Sequence, residues 1–347
     1  MARRRLETAI QAGKAIEQGK QWPEEFTKLE VLKELKFDYD RDGVYCLQFS
    51  LDSEQLAVGF GNGGIQVFDA HTLEKIQDIK PSRYGGGLAV TCIRYHPKQH
   101  HIFFASNSEG QVLSCNTKAG TFDVIIEEKQ NEINCLDFSL DGFNFATAGK
   151  DLTVRIYDTQ SQQLSHVYQG YNETAPPVEF QVPGHAQRVF ALKYHPENNH
   201  ILITGGWDNH LKVWDTRSQD GVKRTIGGPH ICGDSLDVRG FKILTGSWVA
   251  QHSLQIWDYN EGVVEKNIPF PHGGHGEFLY CAQFCDNDVV IAGGSGTHSI
   301  QAVNTVSGKC LGEIKMEKPV QALDTTKGGR LFAIGGGDNR LILGSLS

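Results

Sequence analysis

The sequence lacks several features that mark other classes of protein. No apolar run reaches the about 18 residues that a membrane-spanning helix needs, so we expect no membrane contact. The 33 Lys and Arg residues are outnumbered by 41 Asp and Glu residues, which argues against nucleic acid as a partner. The first residues, MARRRLETAIQ, contain no apolar stretch of a secretory signal, so we expect a cytoplasmic protein, with a nuclear location left open.

The motifs of common enzymes and metal sites are also missing. The sequence contains no P-loop, no H-E-x-x-H helix and no G-x-S-x-G elbow, and its eight cysteines form no C-x-x-C pair. Gly59-x-Gly61-x-x-Gly64 matches the dinucleotide fingerprint, but the residues that follow predict a strand instead of the required helix. We therefore expect a protein that is not an enzyme, with no cofactor and no bound metal.

What the sequence does contain is a repeat. The segment TGGWDNHLKVWD (204–215) recurs as TGSWVAQHSLQIWD (245–258), TAGKDLTVRIYD (147–158) and VGFGNGGIQVFD (58–69). More degenerate copies at 105–116, 292–304 and 334–345 bring the number of repeats to seven. The positions equivalent to Trp214 are Phe68, Cys115, Tyr157, Trp257, Val303 and Leu343, roughly 40 to 57 residues apart. An internal period of this length predicts an array of similar structural units.

Each unit has the pattern of short strands. β-Branched and aromatic residues alternate between turns rich in Gly, Asp and Asn, which predicts four antiparallel strands per unit. Four strands in roughly 40–45 residues is the period of a propeller blade. The pairs Trp214-Asp215 and Trp257-Asp258, with Gly184-His185 ahead of the fourth blade, resemble the WD-repeat β-propeller family over about residues 28–347.

We therefore predict an all-β protein, a single seven-bladed β-propeller of four-stranded antiparallel blades over residues 26–347. The seventh repeat ends at Ser347 without an outermost strand, and KLEVLKELKF (28–37) can supply that strand and close the ring. Residues 1–25 are expected to form a short helical extension, which Trp22-Pro23 ends. The sequence is compatible both with packing of this extension on the propeller and with docking of a partner.

The innermost strand of the repeat has a recurrent small residue. Cys46, Cys92, Cys135 and Cys281 occupy one position in four blades, and alanine stands there in two others. A small apolar residue fits a packed strand next to its neighbours, so we interpret these four cysteines as buried free thiols.

The resemblance implies a buried hydrogen-bond chain that holds a blade together. In this family a His, a Ser or Thr, an Asp of the tight turn and the Trp form such a chain, and the fourth blade has the whole set: His185, Thr204, Asp208 and Trp214. Trp can only donate, His can donate and accept, and a carboxylate accepts, so every member finds a partner. A catalytic role for these residues is the alternative, and we favour the structural role.

The resemblance also implies a partner-binding face, formed by the loops that enter the innermost strands and by the tight turns. The aromatic and charged residues at its exposed positions are Trp207, Phe190 and Arg188 in blade 4, Trp248 and Asp234 in blade 5, Tyr280 and Phe278 in blade 6, Tyr45 in blade 1 and Lys150 in blade 3. Aromatic residues with arginine are typical of interaction hot spots, so we expect a protein or peptide partner, within a multiprotein complex, on a propeller that is itself monomeric. The alternative is that these rings pack against neighbouring blades.

Two further patterns suggest other functions. VWDTR (213–217) matches the Trp-Asp-x-Arg pattern of propellers that recruit substrates to cullin-RING ubiquitin ligases, in which Arg217 would contact the adaptor. Five histidines lie in connections at one end of the predicted propeller and are the one candidate for a propeller enzyme or a metal site: His230, His252, His272, His275 and His298. We interpret these connections as solvated loops.

Overall fold

Seven four-stranded antiparallel sheets form the blades of a β-propeller around a central channel. This computed structural model describes residues 25–38, 41–81, 87–171, 184–218, 221–271 and 274–347. The predicted all-β, seven-bladed fold is confirmed. The helix expected before residue 25 lies outside the described residues, and within them no helix is long and apolar enough to cross a membrane.

Consecutive strands of each blade pair in order, with the first strand innermost. From the channel outwards, blade 1 contains β2 (Val44–Phe49), β3 (Gln55–Phe60), β4 (Ile65–Asp69) and β5 (Lys75–Lys80). Blade 2 contains β6 (Val90–Tyr95), β7 (Ile102–Asn107), β8 (Gln111–Asn116) and β9 (Thr121–Glu127). Blade 3 contains β10 (Ile133–Phe138), β11 (Asn144–Gly149), β12 (Val154–Asp158) and β13 (Leu164–Tyr168). Blade 4 contains β14 (Val189–Tyr194), β15 (Ile201–Gly206), β16 (His210–Asp215) and β17 (Val222–Gly227). Blade 5 contains β18 (Leu236–Arg239), β19 (Lys242–Gly246), β20 (Leu254–Asp258) and β21 (Val264–Asn267). Blade 6 contains β22 (Leu279–Phe284), β23 (Val289–Gly294), β24 (Ser299–Asn304) and β25 (Cys310–Lys315). Blade 7 contains β26 (Val320–Thr326), β27 (Leu331–Gly336), β28 (Arg340–Leu346) and, as its outermost strand, β1 (Leu29–Lys36).

The N-terminal strand closes the ring, as predicted. β1 runs antiparallel to β28, with Leu29 opposite Leu346. Before the strand begins, the backbone N–H of Thr27 donates to the carbonyl of Ser347 over 2.8 Å. Phe26 is buried beside Met316 and Leu346, and the Arg330 guanidinium lies 5.1 Å from the centre of its ring. The pairing covers the outer edge of β28 and ties the two ends of the described chain together.

The apolar cores lie between blades. One cluster joins Cys135 of blade 3 to Val189 and Trp214 of blade 4, and another joins Val44 of blade 1 to Leu341 of blade 7. Each blade therefore buries its inner face against the next blade, and the ring is held by contacts that an isolated blade lacks.

Six of the seven inner strands carry a β-bulge at the same place. In each of these six strands the pairing register skips from the first residue to the third, so the second residue has no partner in the ladder. These second residues are Tyr45, Thr91, Asn134, Phe190, Tyr280 and Gln321. A bulge re-aims a side chain, and all six of these residues line one mouth of the channel. The thiols predicted at the third position are confirmed as buried and free, and burial raises the pKa of each.

The seventh repeat departs by one residue from the predicted alignment. In blade 4 the second residue of β15 pairs with Trp214, whereas in blade 7 the second residue of β27, Phe332, pairs with Gly344. A Cβ at Gly344 would collide with the Phe332 ring, which fills the space that a side chain would need. The prediction that Leu343 is equivalent to Trp214 was therefore wrong, because a glycine at this position leaves no hydrophobic signal.

Candidate partner-binding face

The loop face is the end of the propeller at which the inner strands begin and at which tight turns join the second and third strands of each blade. At its centre the six bulged residues surround a chamber of about 230 Å³. Residues 232–234 complete the wall at blade 5, whose inner strand β18 has only four residues. Four of the predicted partner-binding residues thus meet at the chamber, namely Tyr45, Phe190, Tyr280 and Asp234.

Trp207 stands at the edge of this chamber with one side of its indole open to solvent. The side chain is 37% exposed, and its ring centre lies 5.0 Å from that of Phe190. The indole N–H points to Cys232 Sγ at 3.0 Å, and the Arg188 guanidinium lies 5.8 Å from the ring centre. These contacts fix the orientation of the indole without covering it.

Trp248 has the same position in blade 5 and is held in a similar way. It is 39% exposed, its ring centre lies 4.8 Å from that of Phe278, and its indole N–H donates to the Tyr280 hydroxyl over 3.0 Å. Phe278 has a φ of 45°, which is uncommon for an aromatic residue, and its backbone N–H bonds the carbonyl of Val249 in the blade 5 insertion. Both tryptophans therefore pack one side against neighbours and present the other to solvent.

The two basic residues predicted on this face, Lys150 and Arg188, form ion pairs with the same carboxylate. Lys150 Nζ lies 2.5 Å from Glu132 Oε1, and Arg188 lies 2.8 Å from the other oxygen of the same carboxylate. The hydrogen bond from Lys150, together with the charge of Arg188, lowers the pKa of Glu132. Sequence reasoning had not singled out Glu132, which joins blade 3 to the Trp207 cluster.

Asp234 lines the chamber and is paired with an arginine of the opposite side of the ring. Its carboxylate is 2.7 Å from Arg94, which reaches across the channel from blade 2 and is itself 5% exposed. Arg94 also lies 3.6 Å from Asp137 of blade 3. Burial acts to raise the pKa of Asp234, but the charges of Arg94 and Lys193 outweigh it and hold that pKa below its usual value. Asp234, whose side chain is 32% exposed, thus also forms an ion pair between opposite blades.

Next to this ion pair, one position of the inner strands ties adjacent blades together. It is the fifth residue of β10 and β26, and Asp237 occupies the equivalent position in the shorter β18. Three aspartates each accept the backbone N–H of the residue that ends the next blade's inner strand, namely Asp137 from Tyr194, Asp237 from Phe284 and Asp324 from Phe49, over 2.8–2.9 Å. The bond to Asp324 crosses the closure between blades 7 and 1. The recurrence of Asp or Gln at this position was a signal in the sequence, and it was missed.

The four residues of the predicted hydrogen-bond chain are connected inside blade 4. His185 Nδ1 lies 2.8 Å from Asp208, and its Nε2 lies 2.6 Å from the Thr204 hydroxyl, which accepts the Trp214 indole N–H over 2.7 Å. Burial lowers the pKa of His185, which favours a neutral ring that donates to Asp208 and accepts from Thr204. Since His185 and Thr204 are fully buried, this geometry suits a structural role.

Blade 3 contains a different buried network that the sequence did not reveal. The carboxylate of Glu128 accepts from the Thr147 hydroxyl, the Tyr157 hydroxyl and the Arg155 guanidinium at 2.5–3.0 Å. Arg155 also bonds Asp151 over 2.6 Å. Glu128 and Arg155 thus occupy in blade 3 the place that His185 has in blade 4. The arginine balances the charge of the buried carboxylate.

Arg217 and the histidines, on which the alternative functions would depend, do not form a single site. Arg217 is on the opposite end of the propeller, the far face, where its side chain is 59% exposed and forms two bonds to Asp215 at 2.7 and 2.9 Å. His230 bonds Asn209, and His298 bonds a backbone carbonyl. Across the described residues no group of three or more His, Cys, Asp or Glu side chains could hold a metal ion, and His272 lies outside them.

Comparison with known proteins assigns the class. Residues 122–158 and 177–215 match the family described as WD domain, G-beta repeat. With seven four-stranded blades, the molecule is a β-propeller of the class that generally provides non-enzymatic interaction scaffolds. The chain is thus similar to the WD-repeat family in two matched segments, and its fold is a seven-bladed propeller.

The relatives are distant and longer. The chain is 21% identical to WD repeat-containing protein slp1 of Schizosaccharomyces pombe over 66% of this chain and 43% of the relative. It is 25% identical to Cell division cycle 20.1, cofactor of APC complex, of Arabidopsis thaliana over 77% of this chain and 55% of the relative. It is also 25% identical to the LEC14B homolog of Prunus armeniaca over 64% of this chain and 47% of the relative. The chain spans about half the length of the curated relatives it matches.

Proposed function

We propose that this protein is a non-enzymatic scaffold whose loop face binds a peptide or protein partner, mainly through blades 4–6. The observation that carries the proposal is the pair Trp207 and Trp248, which occupy one repeat position in adjacent blades and are 37% and 39% exposed. Since both indoles are already held by neighbours, partner binding would cost little side-chain entropy. Large aromatic residues fixed in this way are typical anchors of an interface.

The names of the relatives are in keeping with this proposal. One relative is named as a cofactor of the APC complex, which describes a protein that works with a larger assembly. By analogy, we infer that the present chain also acts within a multiprotein complex.

The proposal is tested by affinity purification and mass spectrometry of the wild type and of a double variant, Trp207→Ala with Trp248→Ala. We expect the double variant to lose its specific partners, because an anchor residue typically contributes about 2 kcal/mol or more. The matched control is Phe143→Ala with Phe241→Ala, which removes two strongly exposed rings from the far face. Retention of every partner by a folded tryptophan variant would refute the proposal.

A second candidate is a substrate receptor for a cullin-RING ubiquitin ligase. The feature in its favour is that Arg217 is exposed on the far face, so an adaptor there would leave the loop face free for a substrate. Its bonds to Asp215 orient the guanidinium at the surface. Pull-down with a ligase adaptor tests this candidate: binding should be abolished by Arg217→Ala and kept by the Trp207→Ala, Trp248→Ala variant.

A further inference from the structure

The outermost strand of blade 3, β13, differs from the outermost strands of the other six blades because it contains no Asp, Glu, Lys or Arg. Its sequence is LSHVY, whereas β1, β5, β9, β17, β21 and β25 each contain at least two of these charged residues. A strand at the edge of a sheet can pair with other chains, and charged side chains are a common protection against such pairing. β13 therefore lacks a protection that the other six edges have.

The outer edge of β13 is open and partly apolar. β13 pairs with β12 on one side, and no strand of the described residues pairs with its other side. Leu164 and Val167 are 49% and 45% exposed, and Tyr168 is the one buried residue of the strand. Successive residues of an antiparallel strand direct their N–H and C=O groups alternately toward the partner strand and away from it, so β13 also presents backbone donors and acceptors on the open side. An extended segment of another chain would pair with these groups and cover the apolar side chains.

The backbone geometry of β13 is the same as in other blades, so its composition is what distinguishes it. The register of β12 and β13 shifts between Ile156 and Tyr157, and an equivalent β-bulge occurs in blades 1, 4, 5 and 6. After the bulge, residues 166–168 pair regularly with residues 154–156. The bulge is thus part of the blade pattern, and it leaves the second half of β13 straight enough to accept a further strand.

The size of the edge decides which kind of occupant it can hold. Each side of a stable protein–protein interface contributes about 20–30 residues, whereas β13 has five. A second copy of the chain or a free peptide would therefore bind only weakly to β13 alone. An added strand is held more firmly when it belongs to a chain that also binds elsewhere on the propeller, because the first contact raises the local concentration at the second.

The surface next to β13 is the loop face. β13 ends there, and Gly170, two residues beyond the strand, packs against Leu152 in the tight turn of blade 3. The same turn contains Lys150, one of the residues predicted to bind a partner. The backbone N–H of Tyr171 donates to the carbonyl of His185 over 2.9 Å, which attaches the connection after β13 to the start of blade 4. The edge of β13 is therefore continuous with the surface on which we place the partner.

We propose that an extended, uncharged segment of the loop-face partner pairs with β13 as a fifth strand of blade 3. This inference rests on the proposed function, because the segment belongs to that partner. Charged side chains in the segment would lose hydration against Leu164 and Val167, so threonine, serine and β-branched apolar residues are preferred. The backbone hydrogen bonds contribute affinity, and the absence of charge on β13 selects this blade from the seven.

The first test uses the full chain labelled with ¹⁵N-valine and the peptide Ac-Thr-Val-Ser-Val-Thr-amide as the probe. The backbone N–H signal of Val167 reports on β13, and the signals of Val124 in β9 and Val264 in β21 are internal controls on charged edges. We expect the peptide to shift the Val167 signal with a Kd of about 1 mM and to leave both controls unshifted. The peptide Ac-Thr-Val-Pro-Val-Thr-amide lacks the central N–H, so it should bind at least about tenfold more weakly.

A lysine on the edge tests whether the lack of charge is the reason for binding. Leu164→Lys keeps the Val167 reporter and should weaken peptide binding about tenfold, because the added strand would cover the ammonium group. The matched change is Val124→Lys, at a residue of β9 that is 46% exposed, and it should leave the affinity unchanged. In the affinity purification, Leu164→Lys should also reduce recovery of the partner that depends on Trp207 and Trp248, and Val124→Lys should not.

The outcomes separate this inference from the proposed function. An unshifted Val167 signal at about 10 mM peptide, ten times the expected Kd, would overturn the inference. Equal shifts at Val124 and Val264, equal binding of the proline peptide, or full partner recovery with folded Leu164→Lys would overturn it as well. In each case the proposed function stands if the Trp207→Ala, Trp248→Ala variant still loses its partners, and both fail if it keeps them.

Discussion

Thr204 is the residue on which the polar network of blade 4 depends. Its hydroxyl accepts the indole N–H of Trp214 over 2.7 Å and contacts His185 Nε2 at 2.6 Å. Since Trp214 and His185 are both buried, neither can turn to water if the hydroxyl is removed. A single methyl-for-hydroxyl change therefore leaves two buried polar groups without a partner.

Thr204→Val should lower the free energy of unfolding by about 2–3 kcal/mol, as measured by urea denaturation. The matched control is Thr245→Val in blade 5, which breaks only the 2.9 Å bond from the Trp257 indole and should cost about half as much. Equal losses in the two variants would show that the His185 bond contributes nothing.

His185 should make stability fall in mildly acidic solution. Burial lowers the pKa of its imidazole below the unfolded value of about 6.5, so the folded state prefers the neutral ring. This contribution is complete above about pH 6.5 and is lost as the pH falls toward the folded pKa. Urea denaturation between about pH 7.5 and 5 should show the loss, and His185→Gln should reduce it. The same pH dependence in His185→Gln would assign the effect to other groups.

The inner strand is the element that positions the candidate site. Its bulged second residue faces the chamber, its small third residue packs against the next blade, and its fifth residue bonds the neighbouring backbone. In blade 5 the short strand β18 has no such bulge, and the preceding segment brings Asp234 to Arg94 instead. One strand pattern, repeated around the ring, thus builds both the chamber and the ties between blades.

The second element of interest is the tight turn between the second and third strands. Trp207 and Trp248 lie there, and each is held by a residue of the following blade, Cys232 and Tyr280 respectively. The orientation of both indoles therefore depends on contacts between blades, and a change at a blade interface is expected to reach the loop face.

At the scale of the whole molecule, stability depends on closure. β1 comes from the N-terminal part of the chain and completes the blade formed by its C-terminal part. Without β1, the backbone groups of β28 would form an open edge, which is prone to pairing with other chains. The propeller also has two separate faces, with Trp207 exposed at one end and Arg217 at the other.

Deletion of residues 1–37 should destabilise the propeller and promote aggregation, because it removes β1 and the apolar contacts of Phe26. Thermal unfolding and size-exclusion chromatography measure the two effects. The control is a deletion of residues 1–24, which keeps β1 and Phe26 and should preserve the melting temperature and the elution volume. A monomeric, equally stable protein after the longer deletion would show that closure does not stabilise the ring.

The sequence by itself determined the repeat and therefore the architecture. Period, strand pattern and turn residues predict seven blades, and the unpaired last repeat predicts the closing strand, because these are local or periodic properties of the chain. The hydrogen-bond partners of Trp214 followed from the resemblance to the WD-repeat family. The alignment failed at Gly344, because the ring of Phe332 fills the space that a side chain has in other blades and a glycine adds nothing to a hydrophobic pattern.

Only the tertiary structure decided which residues of distant repeats meet. Arg94 and Asp234 are 140 positions apart, and their ion pair across the channel depends on the geometry of the closed ring. The same holds for Glu132 beside Arg188 and for the bulged residues that surround the chamber. A repeat pattern states which positions are equivalent, whereas a contact across the ring depends on distances that no single repeat contains.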